Sequence, residues 1–292
     1  MRKMLAIRIA VVLLLCTVGL ATILDQSVAS SNQEKYREIM QDLLTGKIDK
    51  PPGAKDYEPP KNLELLPRPA PPIEQDQLII CQDENLVLPM SPGIAAGYQC
   101  FIGGRVGART GTITNLKPNE KEWHVIHQWP TSGENAIVIT YFPEAGSNSG
   151  VFGIFISALG GYIEWVYFPA NHYFYIGIVP NHSSGSETYK QISFLVWDIS
   201  TNTFWSKKYT LPVTQRIKAV DAALEHDDTV TPNSLWKDFV DFVAYDKNRN
   251  AVDLNATFSW YEHPSQAMNN EHTQTFYNNN MYGYLRQRKT PK

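Results

Sequence analysis

The sequence predicts a mainly β protein, in which an antiparallel β-sandwich or barrel-like domain carries one or two short helices. Short runs of β-branched and aromatic residues recur, glycine- and serine-rich turns separate them, and little helical pattern interrupts them. In front of this domain we expect a membrane or signal helix, a short amphipathic helix and a proline-rich tether. The divisions are a signal peptide or anchor over 1–30, the amphipathic helix over 31–46, the linker over 47–74, the β-rich domain over 75–263 and a polar C-terminal tail over 264–292.

The first thirty residues have the layout of an export signal. A basic start, Arg2, Lys3 and Arg8, precedes the uncharged apolar run 9–24. This run is either an uncleaved membrane anchor or a signal that is cleaved after Ala29. Because positive charge stays on the cytoplasmic side, both alternatives export the rest of the chain. We expect it at the periplasmic face of the inner membrane if anchored, or free in the periplasm if cleaved.

A short helix is predicted next, over residues 31–46. Ser31 and Glu34 have the spacing of a capping box, and apolar residues follow at helical spacing and form one stripe. That stripe needs a surface to cover it. The protein's own domain is one alternative, and a second copy, a partner or the membrane surface is the other.

The proline-rich tether spans residues 51–72, PPGAKDYEPPKNLELLPRPAPP. Proline at this density opposes regular helix and sheet and favours an extended polyproline conformation. At about 3.1 Å per residue, the segment can reach roughly 70 Å. The tether therefore predicts a domain held away from the membrane.

Eight strands are predicted in the domain, and two segments break the pattern. Apolar residues recur at helical spacing over Thr214–His226, which predicts a helix, whereas Ser234–Val240 fits a short helix or the start of a strand. The tail after Pro264 is polar, and its basic end, Arg286–Lys292, is predicted to be disordered. The strands are 78–80, 123–129, 136–142, 151–156, 162–168, 173–179, 192–197 and 204–210, with a hairpin turn over 198–202.

Cys81 and Cys100 are the two cysteines beyond the N-terminal apolar run. In an oxidising compartment they predict a disulfide that closes a loop of about twenty residues, which stabilises the fold by roughly 3 kcal/mol.

Charge and motifs exclude several function classes. The formal net charge of −3 leaves no basic surplus for a nucleic-acid backbone.

His124 and His127 have a His-x-x-His spacing, but on a predicted strand they point to opposite faces. Asp246-x-Asn248-x-Asn250 begins like a calcium loop yet lacks its glycine and closing glutamate, so a hairpin turn is predicted there. The glycines at 103–107 lack a P-loop ending and predict a tight turn. We expect no metal and no cofactor.

Four aromatic residues form a candidate ligand platform. Trp165 and Tyr167 share one strand face, and Tyr173 and Tyr175 share another. If exposed, such rings can stack on a sugar, which predicts glycan binding. The platform loses its basis if the rings are buried.

These observations together predict a non-catalytic exported envelope protein that binds another protein, because no catalytic set is recognisable. The partner is a secretion or envelope machine, of which the chain is a subunit, or a toxin that the chain blocks as an immunity-type inhibitor. Cell-wall glycan binding is the first alternative. An envelope hydrolase is the second, with Glu144 and Glu164 as its imagined acid–base pair.

Overall fold

The computed structural model of the chain describes part of its length. The described residues are 32–61, 79–80, 87–88, 96–100, 105–110, 123–130, 137–143, 149–169, 171–225, 234–262 and 268–291. Residues 1–30, most of the tether and Cys81 lie outside them. The export signal and the disulfide between Cys81 and Cys100 therefore remain predictions.

The described part is mainly β, as predicted. Helix α1 spans residues 32–45, and a short helix, α2, spans Leu254–Thr257. The strands are β1 Lys55–Asp56, β2 Ile79–Ile80, β3 Val87–Leu88, β4 Ala96–Cys100, β5 Arg105–Thr110, β6 Trp123–Pro130, β7 Ile137–Pro143, β8 Ser149–Ile156, β9 Gly161–Pro169, β10 Phe174–Asn181, β11 Thr188–Asp198, β12 Thr203–Glu225, β13 Lys237–Tyr245, β14 Phe258–Glu262, β15 Met268–Tyr277 and β16 Tyr282–Pro291.

Fourteen of the described strands form one sheet. Its main path runs β15-β16-β13-β5-β10-β11-β12-β6-β7-β8-β9, and every neighbour along this path is antiparallel. Strand β4 pairs with β12 and β14, while β1 joins β12 in parallel. Strands β2 and β3 form a separate pair.

Strand β12 joins two layers of the sheet. Its first part pairs with β11, and after a register shift between Ile217 and Ala219 its second part pairs with β6. The sheet folds back on itself, so that the ring of Phe174 on β10 lies 5.0 Å from that of Phe152 on β8 and 5.5 Å from that of Tyr141 on β7. These residues belong to the main hydrophobic core. The sandwich architecture follows from this closure.

Helix α1 packs on the protein's own domain. Met40 and Leu44 lie over Gly107 and Gly177, which face each other on β5 and β10. A Cβ at position 177 would lie 2.9 Å from both Leu44 Cδ2 and Met40 Cε, closer than side chains pack. Two opposed glycines therefore form the seat of the helix, and the first alternative for its apolar stripe is correct.

The predicted helix over Thr214–His226 is wrong, because residues up to Glu225 continue β12. On a strand, Val220, Ala222 and Leu224 point into the main core, while Ala219 belongs to a second cluster on the other face. Alanine-rich sequence fits both periods, and pairing with β4 and β6 decides for the strand. The ambiguous segment beginning at Ser234 leads into β13.

The predicted disordered end is also wrong, since residues 268–291 form the hairpin β15–β16. Asn278, Asn279 and Asn280 have φ values of 51°, 55° and 62° in its turn. Asparagine tolerates this left-handed region better than most residues, so the asparagines favour a turn here. Leu285 of this hairpin is fully buried in the main core.

Three shorter segments complete the comparison. Residues Lys55 and Asp56 of the predicted linker pair with β12 as β1, so the linker is docked on the domain at this point. Residues 105–110, within and after the predicted glycine turn, form β5. The Asp246 carboxylate accepts backbone N–H groups of Asn248 and Asn250 at 2.8 and 2.9 Å, which confirms a turn there.

In the described part of the chain, neither helix has the length and apolarity needed to cross a membrane.

Candidate functional site

The outer face of the half-sheet β4–β12–β6–β7–β8–β9 holds a row of chemically distinct residues. Directly opposed residues of neighbouring strands belong to the same face. Asp221 is opposed by Gln99 on β4 and by His127 on β6, and the row continues to Val138 and Phe155. We call this surface the Asp221 face. The strand register thus aligns position 221 with positions 99 and 127 in one row.

Asp221 is fully buried, with 0% of its surface exposed. Its neighbours Ala219 and Ala223 on the same face of β12 are also at 0%, and so is Thr140 on β7. A carboxylate in such surroundings is costly unless it is hydrogen-bonded or paired. Asp221 does have polar interactions.

An aromatic wall lies on the same face. Tyr162 and Trp165 stack with ring centroids 4.9 Å apart, and Phe142 lies 5.6 Å from Trp165. All three rings crowd over Gly153, where an added Cβ would lie within 2.9 Å of each. The Tyr162 hydroxyl and Thr140 Oγ1 are 3.5 Å apart, which connects the wall to the polar side of the face.

The four candidate platform residues are not one exposed surface. Tyr167 is 6% exposed and Tyr175 is 1% exposed, whereas Trp165 is half-buried and Tyr173 is 45% exposed. Tyr175 is covered because α1 packs on that face, and its hydroxyl donates to the buried Asp241. The predicted alternation of side chains between the two strand faces is correct, but α1 was not predicted to cover this face of the sheet. The glycan platform therefore loses its basis.

The other sequence-predicted residues fall in separate places. Glu164 lies on β9, where its Oε2 accepts the Tyr209 hydroxyl at 3.0 Å and also contacts the Lys207 ammonium. Glu144 lies outside the described residues. His124 is opposed by Leu224 and His127 by Asp221 on β12, which puts the two histidines on opposite faces, as predicted. Among the described residues, no group of three or more His, Cys, Asp and Glu side chains is arranged to hold a metal ion.

Asp221 was missed at the level of sequence because its segment was read as a helix. The sequence feature that could have indicated Asp221 is a single acidic residue between Val220 and Ala222, with apolar residues on both sides. On a strand this pattern puts a carboxylate between apolar neighbours on a face that must be covered.

Comparison with known proteins identifies a shared fold. No family model matches the sequence, and no curated protein matches it. Scytalido-glutamic peptidase bound to a peptide-based transition state analog is similar in structure, with a TM-score of 0.50 and 9% identity over 68% of this chain and 98% of the peptidase. SCP-B, an eqolisin peptidase bound to the tripeptide Ala-Ile-His, has a TM-score of 0.47 at 9% identity, with the same coverages. The CBM2 module of an evolved Dit protein from a Lactobacillus casei phage has a TM-score of 0.32 at 10% identity, over 68% of this chain and 64% of that one.

The prediction that the chain is not an enzyme is corrected by this comparison. It rested on the failure to find a known catalytic motif, yet the chain shares its fold with a peptidase at only 9% identity. At such identity a short motif is not expected to be recognisable, so its absence excludes nothing. The likeness itself establishes the fold alone.

Proposed function

We propose that the domain hydrolyses peptide bonds in a polypeptide substrate, with Asp221 as general acid and base. The observation that carries the proposal is Asp221 itself, a carboxylic acid at 0% exposure between Gln99 and His127 in the register of β4, β12 and β6. The fold shared with a glutamic peptidase supports it.

The chemistry needs a proton acceptor, a proton donor and a group that stabilises negative charge. The Asp221 carboxylate takes a proton from water as the water oxygen attacks the carbonyl carbon. The carbon–nitrogen bond then breaks, and the same proton passes to the departing amine, which leaves a carboxylic acid and an amine. A hydrogen-bond donor next to Asp221 then stabilises the oxyanion, and positions 99 and 127, which the strand register places beside Asp221, are the candidates for this role.

The aromatic wall supports a polypeptide with an apolar side chain next to the cleaved bond. Phe142, Tyr162 and Trp165 are packed beside the row that holds Asp221, and aromatic rings bury apolar side chains well. The protein partner predicted from the sequence is, in this proposal, the polypeptide substrate. Export to the periplasm remains part of the proposal, on the basis of residues 1–30 alone.

The test uses the full chain and a library of internally quenched peptides. We expect cleavage by the unsubstituted protein and a fall in kcat of at least about 100-fold in Asp221→Asn, because the amide cannot exchange the proton. Thermal unfolding and circular dichroism establish that this variant is folded. Cleavage products identified by mass spectrometry give the preferred side chain.

Asp198→Asn is the matched control. Asp198 is also 0% exposed, but it lies at the end of β11, where its carboxylate accepts the Ser200 N–H at 2.9 Å and contacts His172 Nδ1 at 2.8 Å. This variant should lose stability while the rate per folded molecule stays unchanged. If Asp221→Asn cleaves as fast as the unsubstituted protein, Asp221 is not catalytic. If the library is bound but not cleaved, the domain binds peptides without hydrolysing them.

A further inference from the structure

A cavity opens at the C-terminal end of α1. It has a volume of about 510 Å³ and lies between that helix end and strands β10, β11 and β12. Its lining includes Arg105, Arg249, His182 and Lys208, together with the hydroxyl group of Ser193. We call these five residues and the space between them the arginine cleft.

The two arginines donate hydrogen bonds to backbone carbonyl groups, and some of their N–H donors remain unused. Arg105 is 3% exposed, and its Nη1 donates to the carbonyl oxygen of Leu44 at 2.8 Å. Arg249 donates through Nη1 to the carbonyl oxygen of Thr45 at 3.2 Å and through Nη2 to that of His182 at 3.1 Å. Among the described residues, the buried Nε atoms of both arginines have no hydrogen-bond partner. Nη2 of Arg105 has none within these ranges either, so two donors of its guanidinium are unused, of which Nε is itself buried.

Charge in the cleft is unbalanced. Neither arginine forms an ion pair with any described carboxylate, and neither does Lys208 on the rim. The one carboxylate of the lining is Asp49, which is exposed. Burial, and then the neighbouring Arg249, lower the pKa of Arg105 to about 10. Burial also lowers the pKa of His182, and both arginines add to the effect.

Helix capping alone does not account for this arrangement. A helix C-terminus carries about half a negative charge, which one donor satisfies, whereas two full positive charges are gathered here. Capping uses one nitrogen of Arg105 and leaves its other donors unused. Buried charges are otherwise paired in folded proteins.

The turn that contains Arg249 holds the backbone of this residue in an unfavourable conformation. Arg249 has a φ of 68°, a left-handed conformation that is unfavourable for a residue with a side chain. Its N–H donates to the Asp246 carbonyl at 3.0 Å, and the Asp246 carboxylate fixes the turn through two further backbone N–H groups. Such strain persists where surrounding contacts enforce it, and it is concentrated at binding sites.

We propose that the arginine cleft binds a small ligand through a carboxylate or phosphate group, held by the unused Nη2 of Arg105 and by Arg249, His182 and Lys208. A guanidinium fork matches two oxygens on one carbon or phosphorus atom, and both groups supply the missing negative charge. The volume is within the range of small-molecule sites. Ser193 adds a neutral hydroxyl for a polar part of the ligand. This binding site is independent of peptide hydrolysis.

The test follows thermal unfolding of the full chain in phosphate and in chloride at equal ionic strength. A ligand that binds only the folded state raises the midpoint with concentration until the site saturates. We expect this saturating rise for inorganic phosphate or for acetate. Glucose 6-phosphate and glucuronate, compared with neutral glucose, then distinguish phosphate from carboxylate as the preferred group.

Variants separate the site from a general salt effect. Arg105→Met should abolish the saturating rise, and Lys208→Glu, on the exposed rim where folding is not at stake, should weaken binding at least about 10-fold. Arg288→Met is the control, because Arg288 pairs with Glu271 outside the cleft. No saturating rise with any of the anions, or an equal rise in Lys208→Glu and the unsubstituted protein, overturns the proposal. The outcome does not depend on whether Asp221 is catalytic.

Discussion

The seat of α1 predicts a specific coupling between Leu44 and Gly177. Leu44 is 0% exposed, and its methyl groups lie over the backbone of two glycines, Gly107 and Gly177. Leu44→Ala leaves a cavity whose floor has no side chain that can move into it. Since losses for buried Leu→Ala changes increase with the cavity that remains, we expect about 4 kcal/mol, in the upper part of the usual range.

Gly177→Ala should destabilise the fold for the opposite reason. Its new methyl would lie 2.9 Å from Leu44 Cδ2 and Met40 Cε, and overpacking of this kind costs about 1–3 kcal/mol. In the double variant the methyl occupies part of the cavity left by Leu44. The combined loss should therefore be at least about 1 kcal/mol smaller than the sum of the single losses.

Urea unfolding of the full chain measures these free energies, with the m-value as a check that the same surface is exposed. Leu159→Ala is the control, because Leu159 is 39% exposed and its truncation should change stability by less than about 0.5 kcal/mol. A loss below about 1 kcal/mol for Leu44→Ala, or strict additivity of the two substitutions, would show that α1 is not seated on the glycines.

Two more predictions concern the cleft and the C-terminal hairpin. His182 has a lowered pKa in the folded state, chiefly through burial and then through Arg105 and Arg249, so the folded state binds its proton less readily than the unfolded state does. The stabilisation should be fully present above the unfolded-state pKa of 6.5 and decrease as the pH falls below it. The free energy of unfolding should therefore be lower at about pH 5 than at about pH 8, and this difference should be smaller in His182→Gln. Deleting residues 268–291 should abolish cooperative thermal unfolding, because Leu285 is fully buried in the main core; a retained sharp transition contradicts this.

The strands were predictable because their signal is local. A short run of β-branched and aromatic residues, as along β7 and β8, indicates a strand without knowledge of the partner strand. The predicted turn at Asp198–Asn202 was found for the same reason, since Asp198 accepts the N–H of Ser200 two residues later. Local hydrogen bonding of this kind depends on only a few consecutive residues.

The errors arose where local signals permit two structures. Residues 214–225 have apolar positions that fit a helix, and the pairing partners β4 and β6 lie about a hundred residues away in the sequence. The asparagines at 278–280 fit disorder as well as a left-handed turn, until Leu285 is seen to be buried in a core built by other strands. Neither choice can be made from the segment alone.

Sequence by itself determined the β fold class, eight of the sixteen described strands and the existence of α1, because hydrophobic periodicity is a property of neighbouring residues. Tertiary structure decided what each face meets. It covers Tyr175 with a helix, places Asp221 between Gln99 and His127, and brings Arg105 and Arg249 together at one helix end. These relations join residues that are 61 to 204 positions apart in the sequence. They exist only once the chain has closed, which is why composition and spacing contain no trace of them.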